Sequence, residues 1–246
     1  MDAARVVVVL SVLMSPAAGR AMDLNDELLS AAGRGDLAKV EMLVMQGAVV
    51  DAHGADYQTP LILAAQSGHT RVVEFLLANG ASVNFKSRLG ITPLLSAVRS
   101  GGGDVVELLL ANGAGVDIQN ANGSTALMRA AERGSEEITL ALLRRGPNVN
   151  LKDHLGRTAL MRAATNGHDR IVELLLAGGA SVNEKSAAGW TACMLAASAG
   201  HEHALELLLA HGADVHARTN LGQTAEMLAG SKGYGQIVQR LRAAGR

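Results

Sequence analysis

The run Thr59-Pro60-Leu61-Ile62-Leu63-Ala64-Ala65-Gln66-Ser67-Gly68-His69 spells a short helix with both ends marked. The threonine hydroxyl can accept from an unbonded amide of the first turn. Proline fits the first helical position, where no amide bond is lost, and glycine can leave the helix through a left-handed turn. Ala64-Ala65 gives a face of small side chains on which a neighbouring helix can approach closely. Downstream, Val72-Val73 and Phe75-Leu76-Leu77 fall at helical spacing and Asn79-Gly80 ends the run, so a helical hairpin is predicted.

The same signal returns at Thr92-Pro93-Leu94, Thr125-Ala126-Leu127, Thr158-Ala159-Leu160, Thr191-Ala192-Cys193 and Thr224-Ala225-Glu226, each 33 residues after the last. Independent amphipathic helices would drift in length, so an unvarying period marks a structural unit that stacks on copies of itself. Ala130-Ala131, Ala163-Ala164 and Ala196-Ala197 repeat the small-residue face. Gly90, Gly123, Gly156, Gly189 and Gly222 supply a turn residue shortly before each threonine, which predicts projecting turns between units.

Thr-Pro-Leu-x-x-Ala-Ala, then Gly-His as in Gly68-His69, Gly167-His168 and Gly200-His201, then Leu-Leu-x-x-Gly-Ala, resembles the ankyrin repeat over residues 24–246. The resemblance implies an all-α solenoid of stacked helix-turn-helix units with projecting β-turns and a concave face. Seven repeats are expected, at about 22–54, 55–87, 88–120, 121–153, 154–186, 187–219 and 220–246, the outer two serving as polar caps. Arg240 and Arg242 stand where Leu207 and Leu209 stand one unit earlier, and Asp26-Glu27-Leu28 replaces Thr-Pro-Leu at the other end. One position departs from the family. Where it has histidine after Thr-Pro-Leu, this chain has Ile62, Leu95, Met128, Met161, Met194 and Met227, so apolar packing is expected in place of a histidine–threonine hydrogen bond.

Ahead of the repeats, an apolar run from Val6 to Met14 is followed by Ser15-Pro16 and the small residues Ala17, Ala18, Gly19 and Ala21, the layout of a secretory signal peptide. The run is too short to anchor the chain across a bilayer. Residues 1–21 are therefore expected to be removed, leaving residues 22–246 in the periplasm or secreted, with no membrane contact in the mature form. A cytoplasmic protein with a frayed first helix is the alternative. A net charge of −1 and 2% aromatic residues supply neither the positive field nor the stacking platforms of a nucleic-acid binder. The single cysteine, Cys193, excludes an intramolecular disulfide and any Cys-x-x-Cys motif.

Chemistry is sparse. His201, His203, His211 and His216 invite a metal site, but His69, His168 and His201 occupy the repeated Gly-His position and read as helix-start residues. Cys193 replaces a leucine of the repeat and reads as a buried thiol. Gly101-Gly102-Gly103 and the glycines between Gly230 and Gly235 lack Walker spacing, and no Gly-x-Ser-x-Gly occurs. The expected function is a non-catalytic protein–protein interaction module, a scaffold, inhibitor or stabiliser, without cofactor or metal and monomeric. A small-ligand- or metal-binding enzyme and a secreted effector binding a host protein are the alternatives.

By the resemblance, positions four, three and one before each threonine, and seven and eight after it, line the concave surface, and there the sequence stops repeating. Arg88, Leu89, Ile91, Arg99, Arg133, Leu155, Arg157, Trp190 and Leu221 are the partner-binding candidates, because exposed tryptophan and arginine are typical interface anchors. Arg129 and Arg162 are candidates to join them and Glu132 to oppose them. A positive face with an aromatic anchor predicts a partner surface that is acidic with an apolar spot.

Overall fold

The structure is a computed structural model that describes residues 17–245, with side chains from residue 24 onward. Apart from the backbone of its last five residues, the leader expected over residues 1–21 lies outside the described residues. The elements are α1 (Ala17–Arg34), α2 (Leu37–Met45), α3 (Pro60–Ser67), α4 (Thr70–Ala78), α5 (Pro93–Ser100), α6 (Gly103–Ala111) and α7 (Ala126–Arg133). They continue with α8 (Glu136–Leu143), α9 (Ala159–Asn166), α10 (Asp169–Ala177), α11 (Ala192–Ala199), α12 (Glu202–Ala210), α13 (Ala225–Ser231) and α14 (Gly235–Ala244). These fourteen helices are the only regular elements among the described residues, and the chain is an all-helical solenoid. Each odd-numbered helix packs on the even-numbered one after it. Odd helices also stack on odd and even on even along the chain, which gives two layers.

Local chemistry sets the helix ends as the sequence predicts. Thr59, Thr92, Thr125, Thr158, Thr191 and Thr224 each accept from the amide three residues on at 3.2–3.3 Å, and Pro60 and Pro93 open their helices. Gly68, Gly101, Gly134, Gly167 and Gly200 close the odd helices in the left-handed region. The paired alanines are fully buried between layers, and Ile62, Leu95, Met128, Met161 and Met194, which replace the family's histidine, pack into the core. Met227, in the last odd-numbered helix described, is 57% exposed. The caps are less polar than expected: Met45 and Val49 at one end and Leu221 and Met227 at the other face solvent, although Arg240 and Arg242 do pair with Glu206 and Glu226.

Hydrogen bonds between successive units tie the stack together. Asp51, Asn84, Asp117, Asn150 and Asn183 accept from the amides of Ser82, Gly115, Asn148, Ser181 and Asp214, each 31 residues later. His69, His168 and His201 donate through Nε2 to the carbonyls of Gly33, Glu132 and Thr165 in the preceding unit, while Gly102 and Ser135 stand at the same place in theirs. The turns form a backbone ladder: Arg88, Ala121, His154, Ala187 and Asn220 donate their amides to the carbonyls of Asp56, Leu89, Asn122, Leu155 and Ala188 at 2.9–3.0 Å. Gly156 has a φ of 71°, and a Cβ there would lie 2.6 Å from the Ala187 nitrogen, so conformation and close approach both require glycine. The first turn breaks this rule. Tyr57 takes the glycine's place at a φ of 57°, with its ring stacked on His53 at 4.4 Å.

Candidate functional site

The side chain five residues before each threonine organises the turn. Ser87, Asn120, Asp153, Ser186 and Thr219 accept from their own turn's amides: Ile91; Asn122 and Ser124; Leu155 and Arg157; Trp190; Leu221 and Gln223. Such local bonds substitute for a regular ladder and hold the turn in one conformation. The residues at positions four, three and one before the threonine are aimed by that conformation. This column of short polar residues is visible in the sequence as one more period, and sequence reasoning passed over it.

Between two successive turns lies a recess of about 260 Å³ lined by Leu155, Arg157, Ser186, Ala187, Ala188, Trp190 and Leu195. Three residues chosen from the sequence, Leu155, Arg157 and Trp190, therefore meet in one place. Leu155 is 59% exposed, whereas Trp190 is half-buried and packs against the core. Leu195 was missed. It stands four residues after Thr191, in a column that reads Leu63, Ser96, Arg129, Arg162, Leu195 and Leu228.

Two members of that column make the neighbouring stretch ionic. Arg162 is 6% exposed; its Nη1 donates to Glu132 Oε2 at 2.8 Å and its Nη2 to Asp153 Oδ2 at 2.7 Å and to Ser124 Oγ at 2.9 Å. Arg129 Nη1 shares Glu132 Oε2 at 3.0 Å, and Arg157 Nε shares Asp153 Oδ2 at 3.0 Å. Arg162 Nε is buried without an acceptor. Burial pushes the Asp153 carboxyl up, but the bonds it accepts from the Arg157 amide and from the Arg162 and Arg157 guanidiniums outweigh this and leave its pKa below the ordinary value. Arg162 is thus no part of an exposed binding surface, contrary to expectation: two carboxylates draw its guanidinium inward.

The other candidates are spread along the same face. Arg88 turns back onto the first turn, donating to the Ala55 carbonyl at 2.9 Å with its guanidinium 5.9 Å from the Tyr57 ring centre. Leu89 is 66% exposed on the second turn and Ile91 half-buried against the core. Arg99 and Arg133, at the ends of α5 and α7, are exposed and join no ion pair among the described residues. Leu221 is 85% exposed on the last turn, away from the recess. The turn and first-helix positions that make up this face expose Arg88, Arg99, Arg129, Arg133, Arg157 and Lys232, wholly or in part, against Asp56 and Glu132, with Arg162 and Asp153 buried behind them. On a chain of net charge −1, that polarises the molecule.

Elsewhere the titratable groups are structural. The ring nitrogens of His69, His168 and His201 are engaged with carbonyls as described, and among the described residues no group of three or more His, Cys, Asp or Glu could hold a metal ion. Burial, with a smaller contribution from Asp214, pushes the Cys193 thiol up to about 12, so it is protonated at neutral pH and a poor nucleophile. No described helix is long and apolar enough to cross a membrane. A family model described as ankyrin repeats (3 copies) matches residues 28–120, 102–186 and 178–245. No curated protein matches the chain.

Proposed function

Since the chain belongs to the ankyrin repeat family, whose members are generally non-catalytic protein–protein interaction modules, we propose that it holds a partner protein against its turn-side face as a scaffold, inhibitor or stabiliser. The observation that carries this reading is the recess of Leu155, Trp190 and Leu195 in a hydrogen-bonded frame. Its volume of about 260 Å³ suits a single large side chain and falls below the roughly 300–1,000 Å³ of small-molecule sites. A half-buried tryptophan at the centre of such a recess is the usual form of an interface anchor. The frame is already ordered by the turn ladder, so docking sacrifices little conformational freedom.

The excess of arginine on this face supports an acidic partner surface that is steered over roughly 8–10 Å at ordinary salt. Capture with a tagged chain, followed by binding measurements on the captured protein, tests the proposal. Arg99→Glu with Arg133→Glu, which disturbs no ion pair, should slow association and flatten its salt dependence. If that variant and Trp190→Ala bind as the parent does while substitutions on the even-numbered helices abolish binding, the partner docks on the opposite side. We propose export as well, on the apolar run Val6–Met14 and the small residues behind it. Sequencing the N-terminus of native protein should find a start near Met22, and an intact Met1 would overturn it.

A further inference from the structure

The recess and the ion network share one residue. Arg157 lines the first and donates to Asp153 in the second. The network holds three guanidiniums, those of Arg129, Arg157 and Arg162, on two carboxylates, Glu132 and Asp153. One positive charge is therefore left over, and one buried N–H, Arg162 Nε, lacks an acceptor. Both carboxylates already bridge two guanidiniums, so neither can absorb the surplus. A charge held in a partly buried site is attracted to an incoming anion more strongly than one in open water, where the dielectric constant is high. The network reaches solvent through Arg129, Glu132 and Arg157, whose side chains are 33%, 39% and 43% exposed, and of these only Arg157 lines the recess.

We propose that the partner presents one short segment in which a large apolar side chain and a carboxylate lie close together, the first filling the Leu155–Trp190–Leu195 recess and the second pairing with Arg157 at its edge. This rests on the binding reading above and adds the chemistry of the recognised segment. The occupant is a protein segment rather than a lipid, because the recess, about 260 Å³, has the size of one side chain and Arg157 at its edge offers a partner to a carboxylate. Arg157 then reads apolar side chain and charge as one unit, and neither an apolar patch alone nor a row of acidic residues alone suffices.

The full-length chain is panned against a random dodecapeptide phage library, with counter-selection on the Leu195→Arg variant. The expected result is enrichment of sequences with a Leu, Ile, Met or Phe and an Asp or Glu within two residues of it. A synthetic peptide of the commonest sequence, itself free of tryptophan, is then titrated while following the emission of Trp190, the chain's one tryptophan. Exchange of its acidic residue for the amide should weaken binding at least fivefold on the parent chain and leave it unchanged on Arg157→Gln. Enriched peptides that lack an acid, or an amide peptide that binds the parent as tightly, overturn the carboxylate inference and leave the recess standing. No enrichment over the counter-selected variant overturns both.

Discussion

Four residues after its threonine, α9 carries Arg162; at the same place α11 carries Leu195. The backbones are equivalent, each held by a threonine cap at its start, a glycine at its end and a polar side chain in its turn. Yet one residue clamps a buried ion network and the other floors an apolar recess. Frame and content are therefore separable: the repeated residues fix where a side chain points, and the unrepeated ones decide what it offers. The two contents also differ in how they are held. A buried ion network loses much of its Coulombic gain to desolvation and seldom adds net stability, although breaking one is expensive. The part of an apolar recess left in solvent gains nothing from folding and is expected where a partner covers it.

Arg162→Ala should have the largest effect, because it removes the buried guanidinium between Asp153 and Glu132 and leaves each carboxylate one partner, Arg157 and Arg129: about 3 kcal/mol of unfolding free energy, read from urea denaturation. The same network fixes the sign of an acid effect. Asp153 has a lower pKa folded than unfolded, so its contribution is complete above the unfolded carboxylate value of about 3.9 and is lost as pH falls through the folded value. Asp153→Asn should flatten that limb of the stability curve, and an unchanged limb would mean that the network does not titrate. In the recess, Trp190→Ala should cost about 2 kcal/mol of partner binding, together with a separate loss of stability because the ring is half-buried against the core. Leu195→Arg extends the charged column by one unit, and if it bound as well as the parent, the contrast between the two stretches would carry no function.

His168→Ala removes a bond to the Glu132 carbonyl, behind the network, and should lower stability by about 1 kcal/mol in the same denaturation assay. Cys193 lies buried in α11, the helix that presents Leu195. Cys193→Leu places the repeat's usual but larger residue in a fully buried site and should cost about 1–3 kcal/mol. In the native chain a disulfide reagent at pH 8 should leave the thiol unmodified until denaturant is added.

The period, the threonine caps and the left-handed glycines were legible in the sequence because each is decided within a few residues. The positions flanking each turn were legible as the places where repetition stops, and Leu155, Arg157 and Trp190 do meet in one recess. Arg162 was misread because its direction depends on Glu132, thirty residues away in the preceding unit, and on Asp153 in its own turn. Leu195 was missed for a related reason: whether that turn of a first helix is covered depends on the neighbouring turn, which no local pattern encodes. Tyr57 in a left-handed turn was hidden because only the other five fingers, with glycine there, reveal it as an exception.

The histidine ties between units are unevenly distributed. Gly102 and Ser135 stand where His69, His168 and His201 stand in their units, so the steps from α3 to α5 and from α5 to α7 lack the histidine ring that bridges α1 to α3, α7 to α9 and α9 to α11. A linear array melts according to its weakest coupling between neighbours. The stack is accordingly least tied across these two adjacent steps, and the recess and the ion network lie beyond both: Ser124, Glu132, Asp153, Arg157, Arg162, Trp190 and Leu195 are on the C-terminal side, whereas Arg88 and Arg99 are not. Limited proteolysis that opens the stack between α5 and α7 would release a fragment that retains the recess and the ion network, while Arg88 and Arg99 leave with the N-terminal units.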